Sequence, residues 1–104
     1  MVEPVTVLFG GIAVRDFDAA AQWYEQLLGR PPDMRPHSAE AAWKLTDSAW
    51  IYVVRDTERA GNALVTIIVD ELPAVDGPIV EMGGMRTVEV ADPDGNKIKF
   101  AERP

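Results

Sequence analysis

Hydrophobic positions along this chain follow two spacings, and the switches between them predict its elements. From Val5 to Val14 the run VTVLFGGIAV is apolar and partly β-branched, with Gly10 and Gly11 inside it, which predicts a buried strand that something approaches closely. Phe17, Ala20, Ala21, Tyr24, Leu27 and Leu28 then recur at i, i+3, i+4, i+7, i+10 and i+11, the stripe of an amphipathic helix. Asp16 is placed to cap its start, Gly29 its end, and Pro31-Pro32 forbids continuation. A polar, Pro-containing stretch with the single histidine, His37, precedes AAWKL and SAWIYVV, which read as a hairpin turning at Asp47-Ser48. The charged segment RDTERAGN, Arg55 to Asn62, reads as a linker.

The pattern then repeats. ALVTIIVD, from Ala63 to Asp70, is as apolar as the first strand, and setting Val14 against Val69 gives an offset of 55 residues (69 minus 14). Where the first half launches its helix, the second has Pro73, Asp76, Gly77 and Pro78, which leave room for a turn or two at most. WIYVV and KIKFA align at an offset of 47 (98 minus 51), so the second unit is shorter by about eight residues. The last stretch, MRTVEVADPDGNKIKFAE, is the cleanest hairpin, turning at Asp92 to Asn96, with Val88, Val90, Ile98 and Phe100 on one face and Thr87, Glu89, Lys97 and Lys99 on the other. We therefore expect a single α+β domain over 1–104, made of two strand-helix-strands modules at about 1–56 and 63–104, the second helix shortened.

Composition changes this picture only by exclusion. The chain has no cysteine, which removes disulfides, thiolate nucleophiles and Cys-based zinc sites and points to the reducing cytoplasm. No apolar run reaches a membrane span, and Glu3 stands where a secretory signal carries basic residues, so neither membrane nor cleaved signal is expected. A formal charge of -7 disfavours nucleic acid as a partner. The same acidity either attracts a cationic small molecule or serves only solubility.

VRDFDAAAQWYEQLLG near the start and DPDGNKIKF near the end together resemble the vicinal oxygen chelate superfamily of glyoxalase I, extradiol dioxygenases and bleomycin-resistance proteins, over nearly the whole chain. The resemblance implies two βαβββ modules whose mixed sheets curl around a shared cavity, often completed by a homodimer that exchanges modules. In metal-dependent relatives four cavity-facing strand positions carry His, Gln or Glu ligands. Matched by motif register they are Phe9, Tyr52, Leu64 and Lys99 here, two hydrocarbons, a phenol and an ammonium, so no metal and no other cofactor is expected.

Strand alternation carried out from these positions places Phe9, Gly11, Trp50, Tyr52, Leu64, Thr66, Thr87, Glu89, Lys97 and Lys99 on the cavity face, with Trp43 joining from the neighbouring strand. Aromatic area with sparse polar groups is the composition of a small-molecule pocket, or equally of a dimer core. A two-residue turn at Asp47-Ser48 pairs Lys44 with Ile51 on the helix side, which conflicts with this division. Trp23 is assigned to the core or an interface, His37 to solvent, and Gly83-Gly84 to a hinge or close approach that is not a phosphate loop. Three readings remain open. They are a metal-independent binding protein sequestering an aromatic or cationic antibiotic, a metal-free isomerase or lyase using Glu89 as base and Lys99 to stabilise an enolate, and a nonenzymatic protein-interaction module.

Overall fold

The computed structural model describes residues 2–104. Nine elements follow one another as β1 (Leu8–Val14), α1 (Phe17–Leu28), β2 (Met34–His37), β3 (Glu40–Thr46), β4 (Ala49–Arg55), β5 (Leu64–Val69), β6 (Val80–Met82), β7 (Met85–Ala91) and β8 (Lys97–Glu102). They form two four-stranded mixed sheets, ordered β1-β4-β3-β2 and β5-β8-β7-β6, curled but not closed. In each the first strand lies parallel to the last, and the remaining pairs are antiparallel.

The duplication is visible in the hydrogen-bonding register. Phe9 pairs with Trp50 and Gly11 with Tyr52, while Leu64 pairs with Lys97 and Thr66 with Lys99. Those pairs are related by the offsets read from the sequence, 55 along the first strands and 47 along the last. Between β5 and β6, residues 70–79 contain no helix, so the erosion signalled by Pro73 and Pro78 has gone to completion. β2 and β6 were not expected. Each is short and lies against one strand only, and in β2 Pro36 interrupts any alternation.

α1 is bounded as its sequence predicts. The Asp16 side chain accepts from Ala19 N–H at 3.2 Å, and Gly29 ends the helix in the left-handed region at φ 76°, its N–H bonded to Glu25 O. Phe17, Ala20, Ala21 and Tyr24 are buried beneath it against Ile12, Val14, Ala41, Trp43, Ile51 and Val53 of the first sheet and Val88, Ile98 and Phe100 of the second. One core therefore serves the helix-facing sides of both sheets. No helix among the described residues is long and apolar enough to cross a membrane.

The expectations for two turns need correction. The hairpin of β3 and β4 does turn at Asp47-Ser48, but Leu45 bulges, so Lys44 pairs with Trp50 and Trp43 with Ile51. The bulge moves every β3 side chain before it to the opposite face. Gly83-Gly84 is neither hinge nor close approach: it is the two-residue turn joining β6 to β7, with φ of 59° and 80°, the doubly positive geometry for which glycine is suited.

A polar knot ties the two halves together at the β7–β8 turn. The buried Asp92 carboxylate accepts from Tyr24 Oη at 2.7 Å, Asn96 Nδ2 at 2.8 Å and the backbone N–H groups of Asp94 and Asn96 at 2.9 Å. Asn96 also donates to Ala13 O at 2.9 Å and accepts from Ala63 N–H at 2.8 Å, which fixes both first strands to one side chain. Arg15 and Asp94 close the knot at the surface with an ion pair at 3.0 Å.

Candidate functional site

The sides of the two sheets that face away from α1 hold the sequence-predicted site residues other than Trp43, in two separate groups. On the first sheet Phe9 and Trp50 stack at 5.1 Å between centroids with an interplanar angle of 14°. Trp50 and Tyr52 are half-buried, and Phe9 is 47% exposed. Tyr52 lies across Gly11, where an added Cβ would stand 2.5 Å from the ring carbon Cζ and from Oη. Gly11 thus supplies the close approach expected of this strand, and Gly10 has open space around it. The first half of β1 is exposed and not buried, whereas Ile12 and Val14 further along the strand reach the core cluster.

On the second sheet Leu64 and Thr66 are exposed on β5, Glu89 on β7 faces Lys99 on β8 across the ladder, and the buried Thr87 pairs with Val80 of β6. Pro78, Val80, Met82, Thr87, Glu89 and Lys99 surround a hollow of about 240 Å³. Glu89 and Lys99 share that hollow without forming an ion pair; Lys99 Nζ points along the sheet to Met82 Sδ at 3.7 Å. The Thr87 hydroxyl is already used, donating to Val80 O at 2.9 Å.

Trp43 does not belong with these residues. It is fully buried on the helix side, its Nε1–H donating to Arg30 O at 3.0 Å and its ring beside Tyr24, because the Leu45 bulge reverses the facing assumed from simple alternation. Lys44 takes the place beside Trp50 and reaches Asp47 at 3.6 Å. Sequence reading also missed Met82, because a three-residue strand carries too little alternation to be seen. His37 ends β2 in solvent, with Nε2 3.2 Å from Glu40. Trp23 is partly buried on α1, edge-on to Tyr24.

A solved structure of a glyoxalase/bleomycin resistance protein from Catenulispora acidiphila is 39% identical to this chain, covers 94% of it and 98% of its own length, and superposes with a TM-score of 0.85. The chain belongs to the glyoxalase/bleomycin resistance protein family. Two more distant structures share the glyoxalase fold alone. An antibiotic binding protein, TnmS3, from a Streptomyces species is 17% identical with full coverage of both chains and a TM-score of 0.76. The oxidase ChaP-H1 is 17% identical over 97% of this chain and 98% of its own, at 0.73. No family model matches the sequence, and no curated protein does.

The four positions that the resemblance matches to metal ligands of the superfamily carry Phe9, Tyr52, Leu64 and Lys99, on β1, β4, β5 and β8. These side chains do not fit a divalent ion. Phe9 and Leu64 have no lone pair to offer, the Lys99 ammonium is repelled by a cation, and the Tyr52 phenol alone is a weak ligand. Among the described residues no three His, Cys, Asp or Glu side chains come together as a metal-holding group.

Proposed function

We propose that this protein is a metal-independent binding protein that sequesters an aromatic small molecule between the first sheet of one copy and the second sheet of another. The stacked Phe9–Trp50 pair, with Phe9 exposed and Trp50 half-buried, carries this reading. Aromatic rings already stacked on one another and partly open to solvent offer stacking area that needs little ordering when a planar ligand arrives.

The position of the core supports a second copy in this reading. Both sheets turn their helix-facing sides into one cluster around α1, so among the described residues the opposite sides are largely uncovered. Leu64 is 73% exposed, Ile68 61% and Phe9 47%, and the outer edges of β1 and β5 are unpaired. A pair of chains exchanging modules covers these faces and encloses a cavity between an aromatic wall and a polar one. The antibiotic binding activity named for TnmS3 is the corresponding use of the same fold and makes antibiotics a natural first panel of ligands.

Glu89 and Lys99 lining one hollow support a second reading, acid-base catalysis on a bound ligand. Quenching of tryptophan fluorescence by a panel of planar aromatic antibiotics, run on metal-free and metal-supplemented protein with sedimentation in parallel, tests the binding proposal. Dimeric protein quenched equally with and without metal is the expected result. Stoichiometric metal binding, or a monomer that no panel member quenches, overturns it. Turnover abolished by Lys99→Met with ligand affinity retained establishes the catalytic reading instead.

A further inference from the structure

The repeat sets each aromatic residue of the first sheet against a position of the second. At the offset of 47, Trp50 corresponds to Lys97 (97 minus 50) and Tyr52 to Lys99 (99 minus 52), and the pairs Phe9–Trp50 and Leu64–Lys97 show the same register. Where one half presents an indole and a phenol, the other presents two ammonium groups. Neither ammonium has a carboxylate within 4.0 Å among the described residues. Lys99 passes over its cross-strand partner Glu89 to reach a thioether, and Lys97 is exposed. On this face two ammonium groups thus stand against one carboxylate, in a chain whose formal charge is -7.

We propose that the ligand is a planar aromatic anion, a carboxylate or an ionised phenol. Its ring lies on Phe9, Trp50 and Tyr52 of one copy, and its charge meets Lys97 and Lys99 of the other. This rests on the ligand occupying the space between the two faces, as proposed above, and it goes beyond that reading by fixing the sign of the charge. An ammonium with no protein counter-ion gains charge-assisted hydrogen bonds from an anion and repels a cation at the same distance. The acidic remainder of the surface is screened beyond about 8 Å at physiological salt, so the groups that touch the ligand decide its charge.

Three ligands of one shape separate the possibilities: 2-naphthoate, 2-naphthamide and 2-naphthylmethylammonium, titrated by calorimetry into the full chain. Naphthoate is expected to bind about tenfold tighter than the amide, with the ammonium weakest. The variant Lys97→Met/Lys99→Met, which nearly keeps side-chain length, is expected to erase the preference of naphthoate over naphthamide, and Lys97→Arg/Lys99→Arg to keep it. Equal or tighter binding of the amide or the ammonium, or a naphthoate preference that survives both methionines, overturns the charge assignment while aromatic binding stands. Failure of all three ligands to bind overturns the charge assignment together with the binding proposal.

Discussion

Replacing Asp92 by alanine is the sharpest probe of what holds the two halves of this chain in register. The carboxylate accepts four hydrogen bonds, from Tyr24 Oη, Asn96 Nδ2 and the N–H groups of Asp94 and Asn96, and both Asp92 and Asn96 are buried. Asp92→Ala leaves Tyr24 Oη and the N–H groups of Asp94 and Asn96 without an acceptor, and leaves Asn96 Nδ2 with Ala13 O alone. Each buried orphan costs about 1–3 kcal/mol. Water reaches the Asp94 end of the turn, so the total is on the order of 3–5 kcal/mol, a large part of the 5–15 typical of a domain. Tyr24→Phe removes one of the four donors and leaves the carboxylate three, for about 1–2 kcal/mol. In the double variant the phenylalanine removes a stranded hydroxyl, so added to Asp92→Ala it becomes neutral or stabilising. Urea unfolding followed by circular dichroism at one fixed protein concentration measures all three. An Asp92→Ala cost below about 1 kcal/mol, or additive costs in the double variant, refutes the claim that this knot is a coupled unit.

Burial, followed by the hydrogen bond to Asp92, raises the Tyr24 hydroxyl well above the ordinary tyrosine value. Its contribution is fully present below pH about 10 and is lost above it, because the unfolded chain ionises first. The slope it adds is about 1.4 kcal/mol per pH unit, and it is absent in Tyr24→Phe when urea midpoints of the two proteins are compared from pH 9 to 11. Trp43→Ala is expected to cost about 3–5 kcal/mol and Trp50→Ala under about 1.5 in urea unfolding of the unliganded protein, whereas Trp50→Ala alone abolishes aromatic-ligand quenching. Equal stability costs place the two rings on the same side of the sheet and contradict the bulge at Leu45. Gly11→Ala pushes the end of the Tyr52 ring aside without touching the core, so stability is expected to change by under about 1 kcal/mol while ligand affinity, read by titration, falls at least about fivefold. A folded Gly11→Ala protein with unchanged affinity removes Tyr52 from the ligand's surroundings.

Local chemistry makes several elements legible from the residues themselves. Asp16, Gly29 and Pro31-Pro32 mark the helix because a cap, a left-handed glycine and a missing N–H act on their own few residues. Asp92 to Asn96 marks its hairpin for the same reason, and the offsets of 55 and 47 carry over to strand pairing because alternation and register are linked along regular strands. A single extra residue escapes alternation altogether. Leu45 bulges only in the company of its partner strand, and with it Trp43 leaves the candidate site for the core while Lys44 enters. The Tyr24–Asp92 bond joins residues 68 positions apart, which no local signal connects. Whether the aromatic and lysine faces are covered was likewise decided by tertiary structure: periodicity says which side chains share a face of a sheet, but only the packing of both sheets around one helix leaves those faces open.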